Sequence, residues 1–206
     1  MKNWMLCVMM WGLLGCATDP VDINLYGLTY KEDAPVILSP PVEAVTPLSM
    51  PASNLRALIL PFAVRQELPV RKDIAREMTD IFRLAWLEHR VFDVLEYDSS
   101  RSWPGLAEAL ALARAKGANL LVSGNLSEFY EGGRVGNTSI GLTVEVHWVA
   151  DGTLLWSAAQ AATLESGPDK DFVLVRSSRR LPAQPTYAVM RALAVSLAQT
   201  FSAHRN

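Results

Sequence analysis

TSIGLTVEVHWV, residues 138–149, decides how the rest of the chain reads. Ile140, Leu142, Val144, Val146 and Trp148 alternate with Ser139, Gly141, Thr143, Glu145 and His147. A period of two puts successive side chains on opposite sides of a pleated strand. The pattern predicts a strand with one buried face and one face that is wet or at an interface. Asp151-Gly152 follows as a two-residue hairpin signal. Leu154 to Leu164 then returns as the partner strand and brings Trp156 into the same core.

Upstream, RALILPFAV (Arg56–Val64) is apolar on both parities, as in a central strand buried on two faces. Ile74, Met78, Ile81, Phe82, Ala85 and Trp86 recur every three or four residues, which predicts a helix from about Asp73 to His89. VFDVLEY (Val91–Tyr97) is a second strand. Pro104-Gly105 opens a second helix over Leu106–Lys116, with Gly117 at the left-handed cap position. ANLLVSGNL starts a third strand running from Ala118 to Tyr130. Residues 165–185 form a long connection, and a last helix spans Pro185 to Ala203 with Tyr187, Met190, Ala194, Leu197 and Phe201 as its apolar stripe. The expected fold class is α/β (α+β): one domain over residues 55–206, with a mixed sheet of about five strands in the order β-α-β-α-β-β-β-α. The helices are expected mainly on one face, with right-handed crossovers between the early parallel strands.

Residues 1–16, MKNWMLCVMMWGLLGC, carry a different message. Lys2 is followed by an apolar stretch of about eleven residues, too short for a spanning helix, which needs about 20. It has the form of a signal peptide, residues 1–15. Leu13-Leu14-Gly15-Cys16 resembles the bacterial lipobox, and that resemblance implies cleavage after Gly15 and acylation at Cys16. Several acyl chains anchor stably where one does not. Ala17 after the cysteine implies sorting to the outer membrane, facing the periplasm, in preference to retention at the inner membrane. Cys7 falls within the signal, so the mature chain is expected to hold no free thiol.

Residues 16–54 contain six prolines and read as a tether, largely extended, spanning up to roughly 120 Å. Val21, Ile23, Leu25, Tyr26, Leu28 and Val36-Ile37-Leu38 are more apolar than a solvated linker requires. Three readings stay open for them: packing on their own domain, lying across a neighbouring subunit, or plain disorder.

The chain has 206 residues and a net charge of −2. No basic excess is present to hold a phosphate backbone, so nucleic acid is not an expected partner. His89, His147 and His204 lack metal-ligand spacing, and no metal or other cofactor is expected. Ser123 lacks the glycine pattern of a nucleophile elbow. The glycine-rich run from Glu131 to Asn137 joins strand to strand, where a phosphate loop would need a following helix. No catalytic residues are singled out, and an enzyme is not expected. A hydrolase with a dispersed site would need paired carboxylates in a deep pocket. The candidate contact residues are Thr143, Glu145 and His147 on the polar side of the alternating strand, and the basic cluster Arg176, Arg179 and Arg180.

Three segments carry a wider resemblance: ALILPF (Ala57–Phe62), AKGANLLVSGNLSEF (Ala115–Phe129) and VEVHWVADGTLLWS (Val144–Ser157). Together they are similar to a periplasmic lipoprotein superfamily that includes the curli secretion lipoprotein CsgG, the N-terminal domain of TolB, LpoB and PelC. The extended amphipathic hairpins of the curli protein are absent. The resemblance implies a non-catalytic role in an envelope machine for secretion, polysaccharide export or peptidoglycan synthesis. It leaves a homo-oligomeric ring subunit as the alternative and does not name an envelope partner.

Overall fold

The computed structural model describes residues 21–24, 27–45, 55–133, 136–167, 170–172 and 175–204. In chain order the first elements are β1 (Val21–Asn24), β2 (Gly27–Asp33), β3 (Val36–Leu38), β4 (Val42–Val45), β5 (Arg56–Ile59), β6 (Ala63–Val64), α1 (Arg71–Glu88) and β7 (Val94–Tyr97). They are followed by α2 (Leu106–Ala115), β8 (Leu120–Tyr130), β9 (Thr138–Trp148), β10 (Leu154–Leu164), β11 (Lys170–Phe172), β12 (Val175–Arg180) and α3 (Pro185–Ala203). Two compact units result, residues 1–33 with 167–180 and residues 34–166 with 181–206.

The larger unit has the expected mixed α/β architecture, on a sheet wider than expected. Its eight strands run β3-β10-β9-β8-β5-β7, with β4 also on β10 and β6 also on β8. β5 pairs in parallel with both β7 and β8, and the β8-β9-β10 ribbons are antiparallel. The chain leaves β5 through α1 to reach β7 on one side. It then returns through α2 to β8 on the other. Parallel crossovers are almost always right-handed, and two that run in opposite directions put their helices on opposite faces.

The side chains record this division. Ala57, Ile59, Leu120, Val122 and the even residues Ile140 to Val146 share one core with Phe82 and Trp86 of α1 and with Leu193, Leu197 and Phe201 of α3. Leu58, Leu60 and Leu121 face the other way, onto Ala109 and Ala113 of α2. Two of the three described helices therefore lie on one face, as expected. α2 ends in a Schellman motif: Ala118 N–H donates to Ala113 O, Gly117 N–H donates to Arg114 O, and Gly117 takes φ +69°.

Several expectations are corrected. The connection at 165–185 contains β11 and β12, and VRSSRR has no apolar alternation that would have marked it. Within the proline-rich segment, Val36–Leu38 and Val42–Val45 are hydrogen-bonded to β10. They are extended, as the prolines require, yet they belong to the sheet. Proline lacks the N–H of a ladder and is tolerated at a sheet edge, where β3 and β4 lie. The β9-β10 turn is four residues long, closed by Trp148 N–H to Thr153 O and by Gly152 N–H to Trp148 O, with Gly152 at φ +79°. On α3, Tyr187 is exposed, and Val189 and Leu193 take its place in the buried stripe.

The smaller unit is a four-stranded sheet in the order β1-β2-β12-β11. β1 and β2 are antiparallel, and β12 runs parallel to β2.

Candidate functional site

α2 covers only one end of its face of the sheet. Beyond it, side chains of one parity project from four strands. Ala63, Asn125, Thr143 and Ala159 form one row, and Ser123, Glu145 and Ser157 form the next. These residues are small or polar, in contrast to the leucines under α2.

Glu145 organises the second row. Ser123 Oγ donates to Glu145 Oε2 at 3.4 Å, and His147 Nε2 lies 3.2 Å from the same oxygen. His147, expected on a face that is wet or at an interface, is buried, at 4% exposure. Its cross-strand neighbour is Leu121, which sits in the cluster beneath α2, so the helix shelters that end of the row. Trp148, expected in the core, is only half-buried at the approach to the turn. The serine and the imidazole both bond to the carboxylate and not to each other, unlike a serine–histidine relay, in which the base takes the hydroxyl proton.

Beside this row lies a cavity of about 150 Å³, lined by Arg65, Trp103, Ser123, Asn125, Thr143 and Glu145. A second cavity of about 220 Å³ shares Ala63 and Trp103 with it and reaches Arg71, Lys72 and Ser102. Both open where the β5–α1 and β7–α2 loops diverge to opposite faces. Crevices at such a switch point, outside the carboxyl ends of strands, are where open α/β sheets hold ligands. Arg65, Trp103 and Asn125 were not singled out from the sequence. Asn125 shares the parity of Ser123 in VSGNL, which is the one signal that pointed to it.

A wider groove, about 540 Å³, runs between β3 and the outer side of α3, with Leu38, Tyr187, Ala192 and Val195 along it. Ile37 and Val42, on the same edge of the sheet, are 50% and 65% exposed.

The structure brings Thr143, Glu145 and His147 together on β9. Arg176, Arg179 and Arg180 lie on β12 of the smaller unit, all three exposed. Arg180 bonds to Asp33 through Nε and Nη2, each at 2.7 Å, and this hydrogen bond holds the Asp33 carboxyl below its usual range. Cys16 and the signal segment lie outside the described residues. Among the described residues, no three His, Cys, Asp or Glu side chains are grouped to hold a metal ion. No described helix is long and apolar enough to cross a membrane, which says nothing of strands.

The larger unit defines the class: an α/β domain with three helices on a mixed sheet. No protein-family model matches the chain, and no curated protein matches it. Solved structures do share the fold. The PelC dodecamer from Paraburkholderia phytofirmans aligns with a TM-score of 0.50 at 18% identity, covering 84% of this chain and 96% of that one. Lipoprotein GNA1162 from Neisseria meningitidis aligns at 0.45 and 9% identity, covering 73% and 99%. The LpoB C-terminal domain from Salmonella enterica aligns at 0.29 and 14%, covering 57% and 84%. At 18% identity the likeness to PelC is one of fold.

Proposed function

We propose that this chain is a lipoprotein of the bacterial envelope, anchored by acyl chains on Cys16 and facing the periplasm, and that it works by binding and not by catalysis. The observation that carries the reading is the N-terminal order of Lys2, an apolar stretch and Leu13-Leu14-Gly15-Cys16. It is supported by a fold shared with PelC. Several acyl chains supply enough buried hydrocarbon for stable anchoring. Ala17 directs the anchor to the outer membrane. Binding surfaces are available in the exposed edge around Ile37 and Val42, the groove along α3, the Thr143–Glu145 row and the arginines of β12.

Intact mass of the protein from its native host tests the anchor. The expected product lacks residues 1–15 and carries acyl mass on Cys16, and Cys16→Ala fractionates away from the membrane. An unmodified, full-length product overturns the reading. Affinity capture from detergent-solubilised membranes tests the binding role, with Cys16→Ala as control, and recovery of no envelope component counts against it.

A second reading, a ring or sheath subunit, is favoured by one observation: the PelC structure that shares this fold is a dodecamer. Light scattering of the detergent-solubilised protein distinguishes the two, since a strict monomer at high concentration excludes self-assembly.

A further inference from the structure

Among the described residues, three polar atoms or groups in the wall of the 150 Å³ cavity, Asn125 Oδ1, Glu145 Oε1 and the Arg65 guanidinium, make no hydrogen bond or ion pair. Asn125 Oδ1 is buried without a hydrogen-bond donor. Glu145 makes both of its bonds through Oε2, which leaves Oε1 uncommitted. Arg65 forms no ion pair among the described residues. Buried polar atoms are almost always paired, so an orphaned amide oxygen in a cavity wall asks for a donor from outside the chain.

The charges decide what kind of ligand fits. A simple anion would meet Arg65 but be opposed by Glu145. A simple cation would meet Glu145 and Asn125 Oδ1 but be opposed by Arg65. A neutral polyol would desolvate both ions and neutralise neither. A group carrying an ammonium and a carboxylate on one carbon satisfies all three: the ammonium donates to Glu145 Oε1 and Asn125 Oδ1, and the carboxylate accepts from the Arg65 guanidinium. The Trp103 indole closes one wall, and the adjoining 220 Å³ cavity, which shares Ala63 and Trp103, receives whatever else the ligand carries.

We propose that this cavity binds the zwitterionic head of an α-amino acid. That chemistry occurs in free amino acids and at the free end of a diamino acid within a cell-wall peptide. The inference goes beyond the anchoring and binding role above, and its failure leaves that role untouched.

The test is calorimetric and NMR titration of the full chain in detergent with glycine, both enantiomers of alanine, and diaminopimelate free and within a muropeptide. Acetate, methylammonium and glucose are the controls. Saturable binding of amino acids, with the controls at least about tenfold weaker, is expected. Tighter binding of the muropeptide than of free amino acids assigns the wall as the source, and the reverse order assigns free amino acids. Arg65→Gln and Glu145→Gln are each expected to weaken binding about tenfold or more. Because Arg65 is exposed, its variant keeps the fold, which the melting curve verifies. No saturable binding at about 50 mM, equal binding of the controls, or unchanged affinity in Arg65→Gln shows that the cavity holds only water and overturns the proposal.

Discussion

The indole N–H of Trp156 donates to Glu43 Oε2 at 3.0 Å, joining a fully buried residue of β10 to a strand laid on its edge. Trp156 packs edge-on against Phe201 at 5.1 Å and lies 6.3 Å from Trp86, so the bond reaches the centre of the aromatic core. The same carboxylate oxygen lies 2.7 Å from His204 Nε2, just past the end of α3. One side chain from the proline-rich segment thereby connects the sheet edge, the core and the last helix.

Glu43→Ala leaves the indole N–H buried and unpaired, which costs about 1–3 kcal/mol. Glu43→Gln retains an amide oxygen as acceptor and should cost less than half as much. Urea denaturation of the two variants measures the difference. Equal losses would mean that the bond to Trp156 contributes nothing beyond packing.

Gly124 marks the tightest approach inside the larger unit. A Cβ at this position would sit 2.3 Å from the ring of Phe62, which itself is 2% exposed. The ring cannot retreat easily, because Phe62 N–H donates to Thr79 Oγ1 at 2.8 Å and the ring packs on Phe82 at 5.2 Å. Gly124→Ala should therefore destabilise by about 1–3 kcal/mol through overpacking. Phe62→Leu should recover part of that loss in the double variant, and a double-mutant cycle detects the coupling. Additive effects would contradict the contact.

Trp86 offers a third measurement. Its indole donates to Ala194 O at 3.1 Å within a cluster that includes Phe82 at 4.5 Å and Phe201 at 5.7 Å. Trp86→Phe keeps much of the ring but removes the indole donor and leaves space, and about 1–3 kcal/mol is expected. Loss of near-ultraviolet dichroism without loss of helix would accompany it. A neutral variant would remove this bond from the account of how α3 docks.

The sequence patterns that proved legible are the ones with many repeats of a short period. Ile140 to Val146 alternate over β9, and Met78, Ile81, Phe82, Ala85 and Trp86 recur on α1; both are buried as expected. What escaped has a physical cause in each case. β3 and β4 are three and four residues long, too short for a period, and their hydrogen bonds run to residues 157–164. His147 reads as outward by parity, but its burial depends on α2, whose position over Leu121 is a property of the crossover and not of the strand. The cavity beside Glu145 draws Arg65, Trp103 and Asn125 from three distant segments, so no local spacing could assemble it.

Asp98 and Lys116 give the stability a dependence on pH at both ends. The Ser100 hydroxyl donates to Asp98 Oδ1 at 2.6 Å, the Ser100 N–H adds a bond at 3.1 Å, and Lys116 Nζ stands 3.5 Å from Oδ2; with the hydroxyl bond foremost, these hold the carboxyl below its usual range. Lys116 is raised above its usual range, chiefly by its 2.6 Å bond to Glu96. A depressed carboxyl stabilises the fold above its unfolded value, about 3.9, and that contribution fades as pH falls through the lower folded value. A raised ammonium stabilises below its unfolded value, about 10.4, and its contribution fades as pH rises through the higher folded value. Asp98→Asn should thus reduce stability at neutral pH and converge on the parent protein in strong acid, whereas Lys116→Met should converge in strong alkali. Unfolding free energies measured across pH check both arms. An Asp98→Asn deficit that persists unchanged into strong acid would show that the substitution acts through packing and not through the charge.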